Sequence, residues 1–235
     1  MARRPAPSTP AQLPLDLKLE PRYGAEDFLV GPSNEGAFEF MMLWPDWPER
    51  LALISGPEGS GKSHLAHIWA ARAGATIVPA LRLKDKAPAR FAEAPALVLE
   101  DCDGPGLDEA QLFHLINLVR ERGISLLMTA RRPPDAWGVA TADLISRLRL
   151  APQVTIAAPD DALLRALLVK LFLDRQITVD LTVIEYLLPR IERSFAGVAG
   201  VVAALDAEAL ALGRRITRPV AAAVLERLSE QPAAE

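Results

Sequence analysis

The sequence has a single cysteine, no surplus of positive charge and no long apolar run. Cys102 alone forms neither an internal disulfide nor a multi-cysteine metal site, so a reducing, cytoplasmic location is expected. The formal net charge is -4, which argues against a protein that holds nucleic acid mainly by bulk positive charge. No apolar run approaches the length needed to cross a bilayer. Arg3 and Arg4 are followed by prolines and polar residues, which argues against a signal peptide.

The composition is that of a globular protein, except for a proline-rich N-terminal segment. With 235 residues, half of them hydrophobic, the chain is long enough for one or two domains with a buried core. Residues 1–25 are predicted to form an extended tail, because prolines recur there without a helix-length or strand-length pattern between them.

Short apolar runs alternate with helical patterns through residues 26–158. The runs typical of strands are 51–55, 76–78, 96–99, 124–129 and 154–156. This alternation predicts an α/β domain whose parallel sheet is covered on both faces. In residues 159–235 the strand pattern stops and only helical segments follow, at 160–175, 180–190, 199–212 and after Thr217. The second part is therefore predicted to be a small all-α domain.

The tail contains one compact apolar motif, QLPLDL, from Gln12 to Leu17. Leu13, Leu15 and Leu17 share one face of an extended chain, and Pro14 disfavours a helix. One interpretation is a short edge strand that docks on its own domain. The other is a peptide that a partner protein binds.

The stretch GPEGSGKS at residues 56–63 fits the phosphate-loop pattern G-x-x-x-x-G-K-[ST] and directly follows a predicted strand. Its glycines allow successive backbone N–H groups to point at phosphate oxygens. Lys62 is expected to reach the β- and γ-phosphates, and Ser63 to bind Mg²⁺. The predicted nucleotide-binding residues of this stretch are Pro57, Glu58, Gly59, Ser60, Gly61, Lys62, Ser63 and His64.

Two further strand ends carry residues suited to phosphate chemistry. ALVLED places Glu100 where a Mg²⁺-organising carboxylate is expected and Asp101 where a water-polarising residue belongs, although either carboxylate fits the metal. Thr129 ends the following strand, within reach of the γ-phosphate or the attacking water. LISRLRL then carries Arg147 and Arg149, which are either solvated helix-end charges or a finger that reaches a neighbouring subunit's phosphate.

In the same order, FLVGPSNEGAF, GPEGSGKSHL, LVLED, LLMTARRPP and ISRLRL resemble the AAA+ core of the DnaA family of replication initiators. The resemblance implies an AAA+ P-loop domain followed by a helical lid. It also implies that Phe28, Leu29 and Val30 contact the adenine, that Thr129 is the first sensor, and that Arg147 is the arginine finger.

Departures from the initiator pattern point to a subgroup. We expect the chain to lack the initiator's N-terminal interaction domain and its DNA-reading helix-turn-helix, and it is similar to the Hda group of short DnaA homologues. That resemblance implies a Q-L-x-L-x-L motif for the sliding clamp of DNA polymerase III at Gln12, Leu13, Leu15 and Leu17. The implied partners are the clamp and DnaA, with no sequence-specific DNA binding, while homo-oligomers stay open.

The lid motif SFAGVAGVV places Ala196 where the initiator has a sensor arginine. We therefore expect poor discrimination between ATP and ADP and slow or no hydrolysis in this subunit. The implied cofactors are ADP, or ATP, with Mg²⁺, and the implied activity is stimulation of DnaA's ATPase to inactivate the initiator. Two rival functions are a helicase-loader or helper ATPase and a DNA-binding initiator paralogue.

Overall fold

The computed structural model describes residues 23–85, 88–91 and 93–230. Five strands form one parallel sheet in the order β2-β3-β4-β1-β5. The strands are β1 Leu51–Ser55, β2 Ala75–Pro79, β3 Ala96–Glu100, β4 Ser125–Ala130 and β5 Gln153–Thr155. Each lies within about one residue of an apolar run in the sequence, so the predicted α/β fold with a parallel sheet is confirmed.

Helices connect the strands and then continue alone. They are α1 Glu35–Met42, α2 Lys62–Ala73, α3 Pro88–Phe91, α4 Glu109–Arg122, α5 Ala142–Leu150, α6 Asp161–Asp174, α7 Leu181–Leu187, α8 Phe195–Leu212 and α9 Arg218–Glu230. Short 3-10 helices lie at Ala25–Asp27, Ala80–Asp85, Pro134–Ala136 and Leu188–Arg190. Within the described ranges, no helix combines the length and the apolar character that a membrane crossing requires.

Alternate residues of each strand enter different cores, because successive side chains of a strand point to opposite faces of the sheet. Leu51 and Leu53 of β1 belong to a core with α4 and α5, whereas Ala52 and Ile54 belong to one with α1 and α2. Helices therefore cover both faces, which explains why the central strands read as continuous apolar runs.

Helices α6 to α9 share a third core, which contains Leu164, Phe172, Val198 and Val224. The prediction that the third helix of this region begins at residue 199 is wrong, because α8 begins at Phe195. The hydroxyl of Ser194 accepts a 2.9 Å hydrogen bond from the backbone N–H of Gly197 and caps the helix there. The first turn of α8 consequently lies four residues earlier than the apolar pattern indicated.

Candidate functional site

Strand β1, buried along its whole length, leads directly into the loop of residues 56–63. Three of its glycines have positive φ angles: 157° at Gly56, 66° at Gly59 and 98° at Gly61. Side chains disfavour this backbone region, so the glycines permit the tight loop that the motif predicts. Helix α2 begins at Lys62, and its free N-terminal N–H groups favour an anion at this end.

The Lys62 ammonium lies inside the loop, with only 8% of the residue exposed. It donates hydrogen bonds to the carbonyl oxygens of Gly56 at 2.9 Å and Pro57 at 2.7 Å. Burial lowers the pKa of Lys62, and the nearby carboxylates of Asp101 and Asp103 oppose that shift. The ammonium is therefore held among the loop carbonyls, and a phosphate oxygen is a stronger, charged partner for it.

The acidic end of β3 and the threonine of β4 meet at the same edge of the sheet as the loop. In the sheet order, β4 lies between β3 and β1, and Thr129 pairs with Ile54 of β1. The Thr129 hydroxyl accepts the backbone N–H of Asp101 at 3.2 Å. Asp101 itself has a φ of 57°, so the chain turns sharply as it leaves β3. The structure thus brings Thr129 and Asp101 together, as their strand-end positions predict.

A hydrogen bond at 2.8 Å from the backbone N–H of Cys102 to the carbonyl of Thr129 fixes the same corner. The Cys102 thiol is fully buried, and burial raises its pKa well above the usual range. Cys102 is therefore a packing residue beneath the site rather than a nucleophile.

The residues predicted to hold Mg²⁺ fit that ion. Ser63 is exposed in the first turn of α2, next to Lys62 in the chain. Oε1 of Glu100 is buried without a hydrogen-bond partner among the described residues, so it is an oxygen available to a cation. Over the same residues, no three acidic, histidine or cysteine side chains are placed so that they could hold a metal ion together. A nucleotide-bound Mg²⁺ needs no such cluster, because phosphates and waters complete its coordination.

The segment predicted to contact adenine joins the sheet domain to the helical region. Phe28 is buried in the core beside α2, with its ring 5.7 Å from that of Phe38 and 5.2 Å from that of His64. Leu29 instead packs against the helical core, and Val30 is 45% exposed. Phe28 is thus mostly buried, and Val30 is the residue of the three with the most accessible side chain; their contact with adenine stays a prediction.

Asn34 and His64 fix this segment from two sides. The Asn34 amide accepts the N–H of Gly31 at 2.8 Å and donates to the carbonyl of Leu29 at 2.9 Å. Asn34 occupies the N-cap of α1, but its side chain makes no hydrogen bond to that helix. Nε2 of His64 lies 3.0 Å from the carbonyl oxygen of Gly24, and a carbonyl only accepts, so this nitrogen is the donor.

The first residues of α8 lie directly against the phosphate loop. The backbone N–H of Phe195 donates to the carbonyl of Gly59 at 2.8 Å. A methyl group on Gly59 would come within 2.8 Å of the Ser194 Cβ and 3.5 Å of the Ala196 nitrogen. The backbone of Ala196 therefore lies close to the loop, and its place at the sensor position stays a prediction. The contact by Phe195 was missed, because nothing in the local pattern links residues 59 and 195.

Arg147 lies on the α4 side of the sheet domain rather than at the phosphate loop of its own chain. Its guanidinium donates to the side chain of Asn117, lies 3.5 Å from the Asp143 carboxylate, and sits 4.7 Å from the centre of the Phe113 ring. The side chain is 27% exposed. Arg149 pairs with Asp135 instead, so the two arginines of this motif have different partners.

A second arginine pair, Arg131 and Arg132, follows Thr129 and was not among the predicted site residues. Their place in the chain could have identified them. Residues just past the end of a parallel strand lie at one edge of the sheet, and β4 lies beside β1, which leads into the phosphate loop. The predicted partner-binding motif of residues 12–17 lies outside the described residues.

Sequence comparison relates the chain to replication initiators. It is 29% identical to the chromosomal replication initiator protein DnaA of Sphingopyxis alaskensis, with 90% of this chain and 52% of the initiator aligned. It is 25% identical to DnaA of Thermus thermophilus, with 93% of this chain and 56% of that protein aligned. The chain thus spans about half the length of these curated relatives. No family model matches it.

Solved structures give the same relationship at the level of the fold. Domain III of Thermotoga maritima DnaA superposes with a TM-score of 0.77 at 18% identity, covering 89% of this chain and 98% of that domain. AMPPCP-bound DnaA from Aquifex aeolicus gives a TM-score of 0.70 at 20% identity, covering 84% and 69%. The chain therefore has an AAA+ fold, and the proteins it is similar to in both sequence and fold are DnaA replication initiators.

Proposed function

We propose that the chain is an adenine-nucleotide-binding regulator of chromosome replication that switches DnaA off. In this proposal the ADP-bound form docks on the DNA-loaded sliding clamp through Gln12, Leu13, Leu15 and Leu17. It then stimulates hydrolysis of the ATP bound to DnaA, as the Hda group does. The observation that carries the proposal is the separation of two half-sites: a phosphate loop near Thr129 and Asp101, and an arginine, Arg147, whose partners lie on α4 and α5.

Nucleotide binding is supported by the loop and by what surrounds it. Lys62 exchanges the carbonyls of Gly56 and Pro57 for phosphate oxygens, while the N-terminal N–H groups of α2 take the remaining phosphate charge. Ser63 and Glu100 would hold Mg²⁺, which neutralises phosphate charge when bound. The Aquifex aeolicus DnaA structure, which has a similar fold, is AMPPCP-bound, and this supports nucleotide binding by the chain.

Weak hydrolysis in this subunit is supported by the lid residues at the loop. Ser194, Phe195 and Ala196 approach Gly59, and none of them carries a charge. Arg193 pairs with Asp161 at 2.7 Å and donates to the carbonyl of Pro159 at 3.4 Å, so its contacts lie at the start of α6 rather than at the loop. A transition state that gains no charge from the lid is less stabilised, so bound ATP turns over slowly.

Arg147 is the group proposed to act on the neighbour. The pair with Asp143 is long, and the Asp143 side chain is 64% exposed, so this ion pair is weak and easily exchanged. Phe113 and the hydrogen bond to Asn117 hold the guanidinium in place, with 27% of the side chain exposed. When DnaA presents its nucleotide at this surface, Arg147 exchanges Asp143 for the phosphate and neutralises charge in the transition state.

The test combines binding and turnover in a defined system. Purified full-length chain is assayed for capture by the sliding clamp, and then for stimulation of ATP hydrolysis by DnaA with clamp and DNA present. Clamp capture together with stimulated hydrolysis supports the proposal. Capture of a replicative helicase without the clamp would favour a helicase loader, and tight DNA binding by the chain alone would favour an initiator paralogue.

A further inference from the structure

The phosphate loop has a cationic neighbour at the end of β4, in addition to the uncharged residues 194–196. Arg131 follows the end of β4, and its Nη1 lies 3.2 Å from Oε2 of Glu58, a residue of the loop itself. Its backbone N–H donates to Oδ1 of Asp103 at 2.9 Å, which fixes where the side chain starts. The guanidinium is also close enough to contribute to the lowering of the Lys62 pKa.

We propose that Arg131 is a phosphate-binding residue of this subunit that contacts the terminal phosphate of ATP and returns to Glu58 when ADP is bound. The proposal rests on the proposed nucleotide function of the loop. It gives the site a charged contact that the lid residues Ser194, Phe195 and Ala196 do not supply. Whatever preference the site has for ATP over ADP then comes from the end of β4.

The exchange is physically favourable because of what Arg131 leaves and what it gains. Both side chains of the Arg131–Glu58 pair are largely exposed, 61% and 78%, and such pairs contribute little to stability. A guanidinium bound to phosphate forms two charge-assisted hydrogen bonds at once, which is a stronger arrangement. The loss of the surface pair is therefore small compared with the gain at a phosphate.

Glu58 has a role of its own in this scheme. Its carboxylate sits in a loop built to receive anions, so an unpaired Glu58 would repel the phosphates. Pairing with Arg131 neutralises it while ADP is bound. When ATP draws Arg131 away, the exposed Glu58 turns to solvent, where its charge is screened.

The neighbouring Arg132 provides a matched control. Arg132 has the same charge as Arg131 and follows it in the chain. Its Nε, however, lies 3.4 Å from Oδ2 of Asp103, whose side chain is only 4% exposed. Arg132 therefore pairs with a buried carboxylate of the loop that follows β3. Its removal changes the local charge as much as removal of Arg131 does, without changing the cation at Glu58.

The experiment measures the affinities of the full-length chain for ADP and for AMPPCP, each with Mg²⁺, by calorimetry. Arg131→Ala is expected to weaken AMPPCP binding about tenfold and ADP binding less than about threefold, and Arg131→Lys to recover part of the loss. Glu58→Gln is expected to strengthen AMPPCP binding relative to ADP, because the competing carboxylate is gone. Arg132→Ala is expected to leave the ratio of the two affinities unchanged.

If Arg131→Ala left the ratio of AMPPCP to ADP affinity unchanged, whether or not both affinities fell, the proposed role of Arg131 would be overturned. The same would follow if Arg132→Ala changed the ratio as much as Arg131→Ala. Lys62→Ala separates this outcome from failure of the proposed function. If that variant still bound ADP normally, the nucleotide site itself would be wrong, whatever Arg131 did.

Discussion

The backbone N–H of Phe195 donates a 2.8 Å hydrogen bond to the carbonyl oxygen of Gly59, so the first turn of helix α8 is bonded directly to the phosphate loop. A change at Gly59 is therefore felt in the helical region, although the two residues are far apart in sequence. This contact ties the loop to the start of α8.

Gly59→Ala is expected to detach the start of α8 from the loop. The added methyl group would lie 2.8 Å from the Ser194 Cβ, which is too close. The φ of 66° at residue 59 is also unfavourable for alanine. Hydrogen exchange should show faster exchange of the Phe195 amide, and nucleotide affinity should fall. Gly123→Ala is the control, because Gly123 has a φ of 69° with nothing within 4 Å of the added methyl group. Equal protection of Phe195 in both variants would contradict the coupling.

Lys62→Ala is expected to abolish nucleotide binding. The buried ammonium is the charged side chain held within the loop, and the N–H groups of α2 carry only partial charges. Calorimetry with ADP should show no measurable heat of binding, while circular dichroism stays that of the unaltered protein. Lys84→Ala, which removes an exposed lysine far from the loop in sequence, should bind ADP as before. Retained ADP affinity in Lys62→Ala would exclude the phosphate loop as the binding site.

Replacement of Leu15 and Leu17 by alanine is expected to weaken clamp binding at least about a hundredfold. Burying each leucine in a partner's groove is worth roughly 1.5–3 kcal/mol, so two losses exceed the 2.7 kcal/mol or so of a hundredfold change. Surface plasmon resonance on immobilised clamp measures the effect. Leu19→Ala, a leucine of the same tail outside QLPLDL, is the matched control. If Leu19→Ala were as damaging as the double variant, general apolarity rather than the motif would explain binding.

Arg147→Ala is expected to reduce stimulation of DnaA's ATP hydrolysis by about 10³ or more, the effect of removing an arginine finger in related phosphoryl transfer. Clamp and ADP binding should stay intact, because Arg147 contacts Asn117 and Phe113 rather than the loop of its own chain. Hydrolysis is followed as release of radiolabelled phosphate with clamp, DNA and ATP-bound DnaA. Arg149→Ala, which breaks the exposed pair with Asp135, should retain stimulation.

The Arg147 and tail variants together test whether one molecule must carry both functions. A mixture of Arg147→Ala with the Leu15 and Leu17 double variant should not restore stimulation, because the finger acts only when its own chain is tethered to the clamp. Full activity of the mixture would show that the two functions work in separate molecules.

The sequence by itself determined the sheet and the identity of the phosphate loop. Each central strand is a short apolar run, because both faces of the sheet are covered, and this signal lies within five or six neighbouring residues. The glycines of the loop are equally local, since their positive φ angles are requirements of single residues. The meeting of Asp101 with Thr129 followed from strand ends that share one edge of a parallel sheet.

The tertiary structure alone decided which distant residues meet these elements. The bond between Phe195 and Gly59, the pairing of Arg131 with Glu58, and the packing of Arg147 on Asn117 each join residues 30 or more positions apart. Such contacts depend on how the helices pack and how the loops between them are placed, so the residues next to each side chain in the sequence do not predict them. The early start of α8 has both origins: the Ser194 cap is a local signal that the apolar pattern did not include, whereas the contact with the loop around Gly59 is tertiary.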